Sequence, residues 1–221
     1  MAVAKSVATH DRICEAAIRV VVRGGLLAMS LDNVAKEAGV SKGGVMYHFA
    51  TKDKLVEGVV TFFAARVERM LLEQIALDPE PRMRWVRAML ACLSPQPAAG
   101  RGARRSEELS PDIQHRFMVA VLAAAANAPQ LLEPLRQLGR RLSDRLLADA
   151  NDGLEQLLLW LAVDGLFLWQ FVGLIDEGDP LFAEIATALR QKAGLPPLGG
   201  ESPKRPARPR ASTTRGRRHV R

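Results

Sequence analysis

The chain has 221 residues, 48% of them hydrophobic and 25% charged, enough for one domain or two small ones around a packed core. Aromatic residues make up only 5%, while Ala and Leu abound and Pro and Gly gather between apolar runs, which argues against a sheet protein and for an all-α fold. The formal charge of +7 is uneven: residues 201–221 carry +7, residues 1–54 carry +3 and residues 55–200 carry −3, a basic head and a basic tail on an acidic body.

The amino-terminal stretch MAVAKSVATHDRICEAA has no long apolar run before its first charges, so no secretory signal is expected, and a cytoplasmic location follows. A first helix is expected from about Thr9, which can cap it, to Arg23, with Ile13, Ala17, Val20 and Val21 on one face and Gly24-Gly25 ending it. Cys14 in this helix and Cys92 further on stand in separate apolar stretches, so neither a disulfide framework nor a zinc spacing is present. Buried inert thiols and a redox sensor are the two readings.

Ser30 is a good N-cap for LDNVAKEA, where Leu31, Val34, Ala35 and Ala38 share a face. Gly39 supplies a sharp turn, and Ser41 caps a second short helix, KGGVMYHF, with Val45 and Phe49 facing inward. Small Ala35 at the crossing, Gly39 at the bend and Val45 as anchor give the spacing of a helix-turn-helix, whose second helix enters the DNA major groove.

Thr51 caps a long helix to about Ala76, a strut from head to body with Leu55, Val59, Phe63, Val67 and Leu71 at helical spacing. Further helices are expected over Met83–Leu93, from Ser110-Pro111 to about Ala126, over Leu131–Ala150, from Leu154 to about Leu174, and after Asp179-Pro180 up to Gly194, nine in all. Residues 95–106 form a loop by composition, and their glycines follow no expected strand, so a nucleotide loop is not read there. The head is assigned to residues 1–54, the helical body to 55–198 and a disordered, Pro- and Arg-rich tail to 199–221.

From Leu157 to Ile175 only Asp164 and Gln170 are strongly polar, close to the length of a membrane span. A carboxylate near the middle costs about 3 kcal/mol on insertion scales. A helix buried between subunits explains the same composition, and no membrane partner is expected. Trp160, Phe167, Leu168, Trp169 and Phe171 make that helix apolar almost all round, which one subunit would struggle to cover, so the last two helices are the expected dimer interface, as a four-helix bundle.

The run LDNVAKEAGVSKGGVMYHF followed by ATKDKL, Leu31 to Leu55, resembles the tetracycline-repressor (TetR) family of bacterial one-component regulators. The Ala, Gly-Val-Ser, Tyr-His-Phe and Lys-Asp-Lys-Leu elements stand in the family's order. The chain departs from it at Met46, where many members carry an aromatic residue; here the aromatic is Tyr47. The resemblance implies a homodimer with two amino-terminal DNA-binding heads and a helical body that dimerises and often binds a small effector. The implied partners are a palindromic double-stranded DNA operator, a second copy of the chain and an unidentified small molecule, with repression the family's usual mode.

The expected DNA-facing set is Ser30, Ser41, Lys42, Gly43, Gly44, Tyr47, His48, Thr51 and Lys52, on a framework of Ala35, Gly39, Val45 and Phe49. Lys42, Gly43 and Gly44 form the first turn of the second helix, where the glycines permit close approach and Lys42 can donate to guanine or to a phosphate. Tyr47 and His48 either contact phosphates or wedge the head together, and Lys52 adds a cation at the next helix start. The Arg-rich tail either adds sequence-independent DNA affinity or is a solvated extension. An effector pocket is expected among Trp85, Met89, Phe117, Met118 and Leu122, residues that equally suit plain core.

No nucleophile and base pair, metal spacing or phosphate loop is visible, and His115 reads as a surface or packed histidine. No enzyme, cofactor or metal is therefore expected. The rival readings are a helical small-molecule carrier or enzyme whose head only packs, and an adaptor that uses its tail on acidic partners.

Overall fold

The computed structural model describes residues 2–93, 110–149, 152–176 and 178–196. The loop expected at 95–106 and the tail at 199–221 lie outside them. Nine α-helices and two 3₁₀ turns are present among the described residues: α1 (Ala2–Gly24), a turn at Leu26–Ala28, α2 (Leu31–Ala38), α3 (Lys42–His48), α4 (Lys52–Leu77), α5 (Arg84–Leu93), α6 (Pro111–Ala125), a turn at Pro129–Leu132, α7 (Glu133–Asp149), α8 (Gly153–Phe171) and α9 (Pro180–Lys192).

Three boundaries differ from those read in the sequence. α1 begins at Ala2, not at a Thr9 cap, because the Ala-rich run before Thr9 is itself a good helix former. α7 begins at Glu133, because Pro129–Leu132 form a 3₁₀ turn ahead of it. α8 stops at Phe171: Gly173 takes φ 73°, Gly173 N–H donates to Gln170 O at 3.2 Å and Leu174 N–H to Trp169 O at 2.8 Å, a Schellman closure.

Packing follows two apolar clusters that meet along α4. The first joins α1, α2 and α3 to the first half of α4, with Ile13, Ile18, Met29, Val34, Val45, Leu55 and Val59 fully buried. It also takes in Phe117 and Val121 of α6, and the Phe117 ring lies 5.1 Å from that of Phe63 on α4. The second packs Ala64 and Leu71 of α4 against α5, α7, α8 and α9 through Trp85, Val86, Leu146, Val163 and Leu189. One body helix is thus part of the head's core. Each fully buried side chain of this size contributes roughly 1.5–3 kcal/mol.

Polar ties reinforce the same joints. Arg19 Nε donates to Glu37 at 3.0 Å, and Arg23 also bonds Glu37, fixing α1 to α2. Arg116 of α6 donates to Val22 O at 3.1 Å, near the end of α1. Arg87 of α5 bonds Asp78 at 2.6 Å and Ala193 O at 3.3 Å, holding the end of α4 and the end of α9 on α5. Among the described residues, no helix is long and apolar enough to cross a membrane.

Candidate nucleic-acid interface

The α2–α3 pair is built by its caps. Ser30 Oγ accepts from Asn33 N–H at 3.1 Å, Ser41 Oγ from Gly44 N–H at 3.0 Å and Thr51 Oγ1 from Lys54 N–H at 3.2 Å, so each of three successive helices starts on a hydroxyl. Gly39 adopts φ 63°, ψ 38°, the left-handed conformation that turns the chain sharply, and Val40 N–H closes on Ala35 O at 3.0 Å. Ala35, Val45 and Phe49 are buried beneath the turn.

With Val45 facing inward, α3 presents its opposite side to solvent. Ser41, Lys42, Gly43, Met46 and Tyr47 are exposed, Tyr47 at 81%, and Thr51 and Lys52 continue the exposed strip on the start of α4. Ser30 and Gly44 are half-buried, Gly44 under Ser41 and Val40. Lys42 Nζ is held by Asp32 Oδ2 at 2.9 Å, a pair exposed on both sides. His48 is half-buried, its ring 5.9 Å from His10 and 5.2 Å edge-on from Tyr47; burial first and His10 second hold it below the usual imidazole range. Asp32 and His10 are the site neighbours missed in the sequence, where no local pattern ties either to α3.

A second surface stands out on α8. Leu154, Leu158, Leu161, Leu168 and Val172 are exposed, with Gly165 between them, at alternating spacings of four and three residues. That is the a/d seam of a coiled-coil face. Trp169 is also exposed, whereas Trp160 and Phe167 are half-buried beside the seam; the Phe171 side chain lies outside the described residues. Trp160 Nε1 donates to Asp164 Oδ2 at 3.0 Å.

The five residues expected around a pocket separate into different surroundings. Phe117 is buried and Met118 half-buried in the head-side cluster, Trp85 and Met89 are buried in the body cluster, and Leu122 is exposed. None lines the cleft of about 1150 Å³ that lies between the end of α1, the first half of α4, the end of α6 and the start of α7. Burial pushes up the Cys14 thiol and raises that of Cys92 to about 11, so both are protonated at neutral pH. No group of three or more His, Cys, Asp or Glu among the described residues could hold a metal ion.

Residues 13–59 match the family model of bacterial regulatory proteins of the tetR family, and residues 83–194 match that of the tetracyclin repressor-like C-terminal domain. The chain belongs to the TetR family. The transcriptional regulator SrpR of Pseudomonas putida is 38% identical over 52 residues, a match covering 24% of this chain and 24% of that relative. A second regulator, PksA of Bacillus subtilis, is 28% identical over 81 residues, 37% of this chain and 40% of its own length. The chain thus spans well under half the length of these curated relatives. Among solved structures, a transcriptional regulator from Rhodococcus sp. Rha1 aligns with a TM-score of 0.58 and 25% identity over 84% of this chain and 94% of that one.

Proposed function

We propose that this TetR-family regulator acts as a homodimeric repressor: two heads read a palindromic operator, and a small-molecule effector releases the complex. The observation that carries this reading is the two-sided character of α3. Val45 is fully buried while Lys42, Gly43, Met46 and Tyr47 face solvent, which suits a helix supported from behind and free to enter a major groove. Lys42 and Tyr47 supply base or phosphate contacts, and Ser41, Thr51 and Lys52 flank them. The roles of Ser30, Gly44 and His48 are those of holding the reading surface in place.

The α8 seam supports the dimer, because a contiguous exposed row of leucines is costly in water and self-complementary under two-fold symmetry. Dimerised through the body, the heads would meet half-sites about one DNA turn apart, roughly 34–36 Å. α4 runs through both clusters and α6 packs into the head-side one, so a body rearrangement changes head spacing, and release follows when the heads miss successive grooves.

Selection of bound sequences from a random DNA pool, at near-physiological salt, tests this with the full chain and with one ending at Gly200. An enriched palindrome retained without the tail is the expected result. Absence of enrichment, or salt-sensitive binding that disappears with the tail, would overturn it and favour a helical small-molecule-binding protein or enzyme without specific DNA binding.

A further inference from the structure

The 1150 Å³ cleft has walls from both halves of the molecule. On the head side are the end of α1 and residues 52–65 of α4; on the body side are the end of α6, the Pro129–Leu132 turn and the start of α7. The space exists because the facing helix surfaces are alanine: Ala64 and Ala65 on α4 look across to Ala120, Ala123 and Ala124 on α6. It is large enough for a drug-sized ligand, whose sites are typically about 300–1,000 Å³.

The lining carries three carboxylates, Asp53, Glu57 and Glu133, against two cations, Lys52 and Arg141. Arg141 is engaged by Glu68 at 2.8 Å, while Glu57 pairs with Lys54 at 2.7 Å and Glu133 with Arg136 at 3.5 Å, both in exposed pairs that a ligand's charge can displace. Asp53 and Glu57 are one turn apart on α4, so their carboxylates share a face. We propose that the cleft binds an amphipathic organic cation, its apolar body against the alanine walls and its charge beside Asp53 and Glu57, and that occupancy disturbs the packing of α6 on the head. This rests on the effector-responsive reading above and gives the effector a place and a chemistry.

The coupling is short. Phe117 and Arg116, which bind α6 to Phe63 and to Val22 O, precede Ala120 and Ala124 by one and two turns of the same helix. A ligand pressed between α4 and α6 therefore bears directly on the joint between body and head. It weakens operator binding to the extent that it binds the displaced arrangement more tightly.

Tetraphenylphosphonium and tetraphenylborate are matched probes, equal in shape and opposite in charge. Equilibrium dialysis against the full chain, without DNA, should show the phosphonium binding at least about tenfold more tightly, a difference of about 1.4 kcal/mol. Ala123→Trp, which places an indole in the cleft from an exposed position, should weaken phosphonium binding at least about tenfold with helicity and Tm kept. Asp53→Asn with Glu57→Gln, both exposed, should lower phosphonium affinity about three- to fivefold and leave borate binding unchanged. Equal binding of the two probes, or phosphonium binding indifferent to both variants, would overturn the assignment. DNA selection is a separate readout: cleft binding with no enriched DNA sequence refutes the regulator reading alone, and an operator with no phosphonium binding refutes the cleft alone.

Discussion

Lys42, the first residue of α3, donates from Nζ to Asp32 Oδ2 at 2.9 Å on the helix before it. On the proposed reading, its ammonium is held back by a carboxylate that DNA must displace. An exposed pair of this kind is worth at most about 1 kcal/mol, so the restraint is mild. Asp32→Asn should tighten operator binding about two- to fivefold, and Lys42→Ala should weaken it about tenfold or more. Fluorescence anisotropy across salt concentrations separates two roles for Lys42. A phosphate contact lowers the salt slope by about 1 in Lys42→Ala, whereas a guanine contact relaxes sequence preference. An Asp32→Asn protein with unaltered affinity would mean that Asp32 does not compete.

The α8 seam predicts a clean dissociation. Leu158 and Leu161 are 60% and 57% exposed in the single chain, so Leu158→Glu or Leu161→Glu disturbs no intramolecular core. Sedimentation should show the variants as folded monomers with unchanged helicity. Operator affinity should drop by orders of magnitude because one head then binds alone. A dimer that survives both substitutions would move the interface elsewhere.

The sequence made the head legible because its signals are local. Ser30, Ser41 and Thr51 each cap the helix that directly follows, and Gly39 stands between the two helices it turns. Contacts between distant segments were not legible: nothing near His48 indicates His10, and nothing near Phe117 indicates that a body helix completes the head's core. α8 shows why periodicity fails on a helix that is apolar almost all round. Trp160 and Phe167 turn out half-buried, while Leu154, Leu158 and Leu161 carry the exposed row. The cleft is invisible in sequence for a related reason: alanines on separate helices leave space only once those helices are packed.

Asp164, one residue from Gly165 in the seam and still solvent-exposed in the single chain, has its carboxyl pushed up to about 6 by the apolar surroundings that partly desolvate it, with the Trp160 indole opposing the shift. An acid whose folded value is raised stabilises the structure below its ordinary value of 3.8, and that stability is lost as pH rises through about 6. Asp164→Asn keeps an acceptor for Trp160 and removes the charge. It should raise Tm at pH 7.5 and change it little at pH 3. Equal melting shifts at both pH values would contradict the raised value.

Two half-buried carboxylates act in the opposite direction. Arg23 and then Arg19 hold Glu37 below the usual carboxylate range, and Arg141 does the same for Glu68; burial opposes both. Their stabilisation is complete above the ordinary value of 4.5 and is lost as pH falls through the lowered folded values. Tm measured from pH 5.5 down to 3 should fall steeply below 4.5, less so in Glu37→Gln, and 1 M salt should flatten the curve through screening.

Gln156 is the one fully buried polar side chain among the described residues, and its two ends serve different helices. Oε1 accepts from Trp85 N–H at 3.0 Å in the first turn of α5, and Nε2 donates to Asp152 Oδ1 at 2.8 Å just before α8. Gln156→Leu fits the volume but removes an acceptor from a helix N-terminus and a donor from a carboxylate. Losing buried partners of this kind costs about 1–3 kcal/mol. For a chain of this size that is roughly 2–12 °C in Tm. Because the defect sits beneath the seam and far from α3, operator affinity at 20 °C should hold while thermal stability drops. A Gln156→Leu protein that melts like the parent would show that water satisfies both groups and that the amide is not what fixes α5 on α8.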